Sequence, residues 1–185
     1  MRGCCERLLS AEIEAFLAAG EPPIYFGFGS TQTPQETSHT MIEAARALGR
    51  RAIVLTGWAD LALVDDQPDC LSISEVNLQA LFLRVAAVVH HGGAGTTTTA
   101  ARAGAPQVVV PHRYDQHYFA QRIDRLGVGA AHAPTVPTAD SLIAALNRAL
   151  QPDAAVRAKS LATDVRTNGA ATAAAYVTRS AGIAS

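Results

Sequence analysis

The chain is poor in the residues that would place it in several broad classes. Aromatic residues make up 5 % of it and charged residues 17 %, with two methionines and a single tryptophan. Its formal net charge of −1 leaves no surplus of cations to draw it to nucleic acid or to an anionic membrane surface. The three cysteines, Cys4, Cys5 and Cys70, are odd in number and show no C-x-x-C spacing. That argues against a disulfide framework or a zinc site and for free thiols in a reducing cytoplasm. No apolar run in the chain approaches a membrane-spanning length, which is roughly 20 residues. Residues 1–7 are followed by only two leucines before polar residues, which is not a secretion signal.

What is abundant is aliphatic. Hydrophobic residues form 49 % of 185 positions, enough for one globular domain with a sizeable core. Ser10 is placed to cap a helix whose Ile13, Phe16 and Leu17 share a face, and Gly20 ends it. The tetrad Thr33-Pro34-Gln35-Glu36 reads as a capping box with proline at the first helical position. Met41, Ile42, Ala45 and Leu48 then form the inner face, with Gly49 as the stop. Short apolar runs predict strands over 24–29, 51–56, 70–73, 86–90, 107–110 and 128–132. Helices are predicted over 78–83, 96–104 and 115–126, and from 138 onward. Strands that are apolar throughout and alternate with helices imply a parallel sheet covered on both faces, a doubly wound, Rossmann-like α/β fold. The chain divides into a leader and opening helix (1–20), the doubly wound domain (21–168) and a C-terminal helix (169–185).

The most informative stretch is VVHHGGAGTTTTA, residues 88–100. It leaves a strand at its carboxyl end and opens a helix, the edge at which open α/β sheets bind ligands. Glycines let a backbone come close, and the free N–H groups of a helix start carry about half a positive charge. With the hydroxyls of Thr96 and Thr97, Gly92, Gly93 and Gly95 make a pyrophosphate cradle. The glycine spacing is not G-x-G-x-x-G, and no lysine follows as in a phosphate-binding P-loop. Dinucleotide oxidoreductases and P-loop ATPases are therefore poor readings.

The run His91-Gly92-Gly93-Ala94-Gly95-Thr96, followed about fifteen residues later by Pro111 and then by Asp115-Gln116, is more specific than a lone glycine loop. It resembles the nucleotide-sugar glycosyltransferases built from two Rossmann-like domains (the GT-B architecture), and within them the bacterial branch that decorates vancomycin-group glycopeptide antibiotics. The resemblance runs from about Ser10 to about Val177 and implies the donor-binding, C-terminal half of such an enzyme, inverting at the anomeric carbon. By position it implies that His91 contacts the donor diphosphate, with Gly92, Gly93, Gly95, Thr96 and Thr97 around it, and that Ser30 also reaches a phosphate. Asp115 and Gln116 would hold sugar hydroxyls, and the Val76 backbone would read the base. The expected partners are a dTDP- or UDP-sugar and a glycopeptide or other natural-product acceptor. Neither a cofactor nor a metal is implied.

Two positions depart from relatives. Where many stack a tryptophan on the base, Ile73 stands near that place, and Trp58 lies upstream of it. Where plant-type relatives hold the ribose with a glutamate eight residues after the histidine, this chain has Thr99. That fits a deoxyribose donor without excluding UDP. His90 reads as a packed residue, His39 and His132 as solvent-facing, and Asp65, Asp66 and Asp69 as a solvated turn. No catalytic base is identified; the resemblance places it in an N-terminal acceptor domain. The chain thus reads as a fragment or chimera part, as one subunit of a split enzyme, or as a binding module without chemistry. The C-terminal helix is expected to pack on that acceptor domain, or else to self-associate.

Overall fold

A computed structural model of the protein describes residues 9–29, 36–56 and 67–180. Six strands form one sheet: β1 (Ile24–Gly27), β2 (Ala52–Leu55), β3 (Cys70–Ile73), β4 (Ala87–His90), β5 (Gln107–Val109) and β6 (Gly129–Ala131). All pairings are parallel, in the order β3-β2-β1-β4-β5-β6. The helices are α1 (Ala11–Ala18), α2 (Glu36–Ala47), α3 (Leu78–Leu81) running into a 3-10 turn, α4 (Ala94–Ala103), α5 (Gln116–Leu126), α6 (Ala139–Ala149), α7 (Pro152–Asp164) and α8 (Gly169–Ser180).

Alternate side chains of the strands sort into two cores. Phe26, Val54, Val89 and Val108 face Met41 and Ile42 of α2 and Leu142 and Leu146 of α6. Tyr25, Ile53 and Val88 face Ile13 and Leu17 of α1 together with Leu81 and Phe82. On the latter face, Val109 packs with Ala120 and Ile123 of α5 and Ala158 of α7. Each large aliphatic or aromatic side chain so buried contributes about 1.5–3 kcal/mol. Residues that are apolar on both sides of a strand have no other stable home than a sheet covered by helices twice over.

Polar tethers hold the periphery. Arg46 of α2 grips Asp69 at the entrance to β3 with two parallel hydrogen bonds of 2.7 and 2.8 Å, so the aspartate is paired rather than merely solvated. Asp65, Asp66 and the Thr33 box lie outside the described residues. Arg51 lies over the Phe16 ring at 4.6 Å and donates to the carbonyls of Phe16 and Glu21, which fastens α1 to the start of β2. Ser10 caps α1 through the Ile13 N–H, and Thr138 and Ser141 cap α6 reciprocally. His132, expected to face solvent, is buried instead: its ring bridges the Ala133 carbonyl and the Ser141 hydroxyl of that cap. Helix α8 has no buried residue and exposes Tyr176 and Val177. Among the described residues no helix is long and apolar enough to cross a membrane.

The strand order reverses between β1 and β4. There the connections leave in opposite directions, and a crevice opens at the carboxyl ends of the strands.

A candidate anion and nucleoside cleft at the switch point

β4 delivers two histidines to this crevice with different fates. His90 is fully buried: its Nε2 lies 3.0 Å from Gln107 Oε1, and its Nδ1 accepts the Gly92 N–H at 3.1 Å. Accepting at Nδ1 leaves the proton on Nε2. Burial, with His91 adding a smaller push, lowers its pKa to about 4 against the opposing hydrogen bond to Gln107. His90 is therefore a packed, neutral residue that positions the glycine turn.

Gly92 needs to be glycine on two grounds. Its φ is +91°, and a Cβ there would stand 2.7 Å from Val109 Cγ1 and 3.2 Å from the Gln116 carbonyl. The turn is thus pressed against the start of α5. Gly92→Ala is expected to cost about 1–3 kcal/mol of stability, measurable by urea unfolding. An unchanged midpoint would show that the turn relaxes freely.

His91 is half-buried and lies between two glycines. A Cβ at Gly29 would come 3.2 Å from its Cε1, and one at Gly93 would come 2.6 Å from its Nε2. Its Nδ1 is buried without a hydrogen-bond partner among the described residues. Burial holds the ring's pKa below the ordinary imidazole value, helped by His112 and opposed by Asp115.

Beside it, α4 starts at Ala94, earlier than the expected Thr96, with Gly93 as its N-cap and no side chain capping the first turn. The N–H groups at the start of such a helix have no intrahelical acceptor, so those of Ala94, Gly95 and Thr96 point outward. Among the described residues nothing would meet a Cβ at Gly95 within 4 Å, so none of them crowds that turn. Thr97, expected among the phosphate donors, instead sends both its N–H and its hydroxyl to the Gly93 carbonyl, at 3.0 and 2.9 Å. It braces the cap; its protons are committed inside the helix.

The loop after β5 brings in the acid–amide pair. Asp115 is exposed at the start of α5 and makes no side-chain cap bond, so its carboxylate is free to accept. The Gln116 Oε1 accepts the N–H groups of His112 and Arg113 at 2.8 and 3.0 Å. Half of that side chain therefore shapes the loop, and only its amide NH₂ remains for a ligand. Tyr114 sits between these anchors at φ +53° with 84 % of its surface exposed. A non-glycine residue there stores strain of about 1–3 kcal/mol, the kind of cost found at binding sites.

A cleft of about 900 Å³ opens beside α4, lined by Leu55, Val76, Leu78 and Thr99 and, from the other side, by Leu9 and Ile13 around α1. Val76, expected to read the base, is part of this lining. The part of α1 in the lining was missed, because its apolar positions read simply as core. The Thr99 hydroxyl donates to the Gly95 carbonyl at 2.9 Å, and Ile73 is buried in the core. Ser30, next after Gly29, and Trp58 lie outside the described residues. Among the described residues no cluster of His, Cys, Asp or Glu could hold a metal ion.

Comparison with known proteins gives the arrangement its kin. Residues 38–176 match the family of the erythromycin biosynthesis protein CIII-like C-terminal domain. The vancomycin aglycone glucosyltransferase of Amycolatopsis orientalis is 57 % identical over 169 residues, which cover 91 % of this chain and 42 % of that protein. Glycosyltransferase GtfE of the same organism is 55 % identical, with 91 % and 41 % covered. The chain therefore spans about two fifths of the length of the curated relatives it matches. Among solved structures, the kitacinnamycin glycotransferase superposes with a TM-score of 0.76 at 26 % identity, over 88 % of this chain and 44 % of that one. The rice protein Os79 in complex with UDP shares the fold, with a TM-score of 0.71 at 13 % identity over 85 % of this chain and 39 % of its own.

Proposed function

Because this chain belongs to the family of the erythromycin biosynthesis protein CIII-like C-terminal domain, we propose that its cleft binds a nucleotide-sugar donor for transfer to a natural-product acceptor. The observation that carries this reading is the pairing, at the switch point, of a helix start without a side-chain cap with a buried imidazole nitrogen that has no partner among the described residues. The helix start presents N–H donors and the imidazole can present an N–H to an anion, and they lie where open α/β sheets bind nucleotides. A diphosphate accepts from the first N–H groups of α4 and from His91. The nucleoside runs along α4 into the cleft lined by Val76, Leu55 and Thr99. Thr99 offers no carboxylate to a ribose diol, which suits dTDP-sugars and tolerates UDP-sugars. A glycopeptide aglycone is the acceptor class we favour, by likeness to the relative named for vancomycin aglycone.

In the transfer, an acceptor hydroxyl oxygen bonds to the anomeric carbon as the bond from that carbon to the diphosphate oxygen breaks. The electron pair departs with the diphosphate, and the hydroxyl proton goes to a base. Residues of this chain offset the departing charge with oriented dipoles in a partly dry site, a term of about 2.7–4 kcal/mol per donor in comparable oxyanion sites. No base is assigned among the described residues.

Asp115 and Gln116 are proposed to hold the sugar, not the nucleotide. The carboxylate accepts from one hydroxyl while the remaining Gln116 NH₂ donates to its neighbour. Asp115→Ala should weaken binding of a dTDP- or UDP-sugar by about 1–3 kcal/mol and leave the plain nucleoside diphosphate unaffected in calorimetric titration. Equal losses for the two ligands would move the pair to the phosphates or to the fold.

A further inference from the structure

We propose that His112 is a second imidazole of the diphosphate site, standing with His91 beside the turn that leaves β1 and taking up a proton when a nucleoside diphosphate binds. This rests on the donor reading above. Three loops meet at the carboxyl edge, after β1, β4 and β5, and each contributes to one small cluster. The His112 ring stands at 86° to the Phe28 ring, with centroids 6.0 Å apart. His91 lies against Gly29, the next residue of the same turn. The backbone of His112 is held by the Gln116 Oε1 at 2.8 Å, so the ring is presented from a braced loop.

Among the described residues, the groups that face this pair are few. From β4 comes His90, already committed to Gln107 and Gly92. From the β5–α5 loop come Arg113 and Asp115, and from the β1 turn, among the described residues, Phe28 and Gly29. Desolvation keeps both rings below the ordinary imidazole pKa. His112 adds to the lowering at His91 and Arg113 to that at His112, while Asp115, acting on His91, opposes. In the free chain the two rings are therefore mostly neutral near pH 7. A diphosphate brought beside the start of α4 reverses the balance, because its charge favours the imidazolium at both positions. Neutral rings stand near each other without repulsion; charged rings grip the ligand. Binding should thus tighten as pH falls toward 6, by up to about tenfold per pH unit for each proton taken up.

The test is titration of the 185-residue chain with dTDP and with UDP at pH 7, in buffers of differing ionisation enthalpy, which counts the protons exchanged. Net proton uptake is expected in the wild type. His112→Gln is expected to bind roughly tenfold more weakly and to lose a large share of that uptake. In parallel, NMR titration of the wild-type histidine rings should show two of them rising in pKa on adding dTDP. The ring in contact with Phe28 should be one of them, and this decides the matter even if the variant folds poorly. Wild-type affinity and uptake in His112→Gln, or no rise at the ring beside Phe28, would overturn the assignment while leaving the donor site standing. Absence of any nucleotide binding by the wild type would overturn the donor reading and this inference with it.

Discussion

Acidified from pH 6.5 to 4, the protein is expected to lose up to about 3 kcal/mol of folding stability at His90 alone, at 1.36 kcal/mol per pKa unit. In the unfolded chain the ring protonates near its ordinary value of 6.5, whereas in the folded protein burial delays protonation to about 4. Between those limits the unfolded state binds a proton that the folded state refuses, so stability falls as pH falls. Above 6.5 His90 contributes no slope, and below about 4 its loss is complete. The lowered values at His91 and His112 act in the same direction. Urea unfolding across this range measures the effect. His90→Gln should be less stable throughout, having lost the bonds to Gln107 and Gly92, but its pH slope should be shallower by about one proton. Identical slopes in the two proteins would mean that His90 is not the buried titrating group. The consequence is also local. Protonated, Nδ1 can no longer accept the Gly92 N–H, so the glycine turn should loosen over the same pH range.

His91→Ala is expected to weaken binding of dTDP or UDP by about 1–3 kcal/mol, the worth of a charge-assisted hydrogen bond, which is roughly 5- to 150-fold in affinity. Fold stability should move little by comparison. Nδ1 is buried without a hydrogen-bond partner among the described residues, so truncation breaks no hydrogen bond with them and removes a polar group held away from water at a cost. The space left by the ring offsets part of that gain. A variant that keeps full affinity would remove His91 from the anion site. One that loses affinity only because it unfolds would show that the ring serves as a wedge between Gly29 and Gly93. Comparing the calorimetric titration with the unfolding midpoint separates these outcomes.

The strands were legible because each is an apolar run bounded by proline, glycine or a charged residue, and every observed strand falls within its expected stretch. Their order in the sheet was not, since nothing local to β1 states that it will pair with both β2 and β4. The glycine loop could be read in the sequence as a candidate anion site through the chemistry of its residues. Its exact helical phase was not: Gly95 reads as a loop residue, yet it lies in the first turn of α4. That shift by two residues moves Thr97 from donor to brace. His132 was misread for a related reason. A histidine after a short strand looks solvated until the cap of α6, distant in sequence, supplies Ser141 as its partner. His112 gave no signal in sequence, because its proposed role depends on Phe28 and His91, which follow other strands.

The strand order also sets a schedule. As the chain leaves the ribosome, β1, β2 and β3 emerge first and are neighbours in the sheet, so that wing has its partners early. β1, however, has its other edge bare until β4 is made, because Gly27 finds its partner in His90. Contacts so far apart in sequence must meet the entropy of closing a long loop before they bring any return, and they form late. The cradle is built from the tips of β1, β4 and β5, so it comes into being only when the second wing docks. A nascent or damaged chain whose second wing is missing would have much of its sheet and no ligand site. Nucleotide should then act as a stabiliser of the seam between the wings, protecting that late-formed junction from proteolysis more than it protects the outer strands.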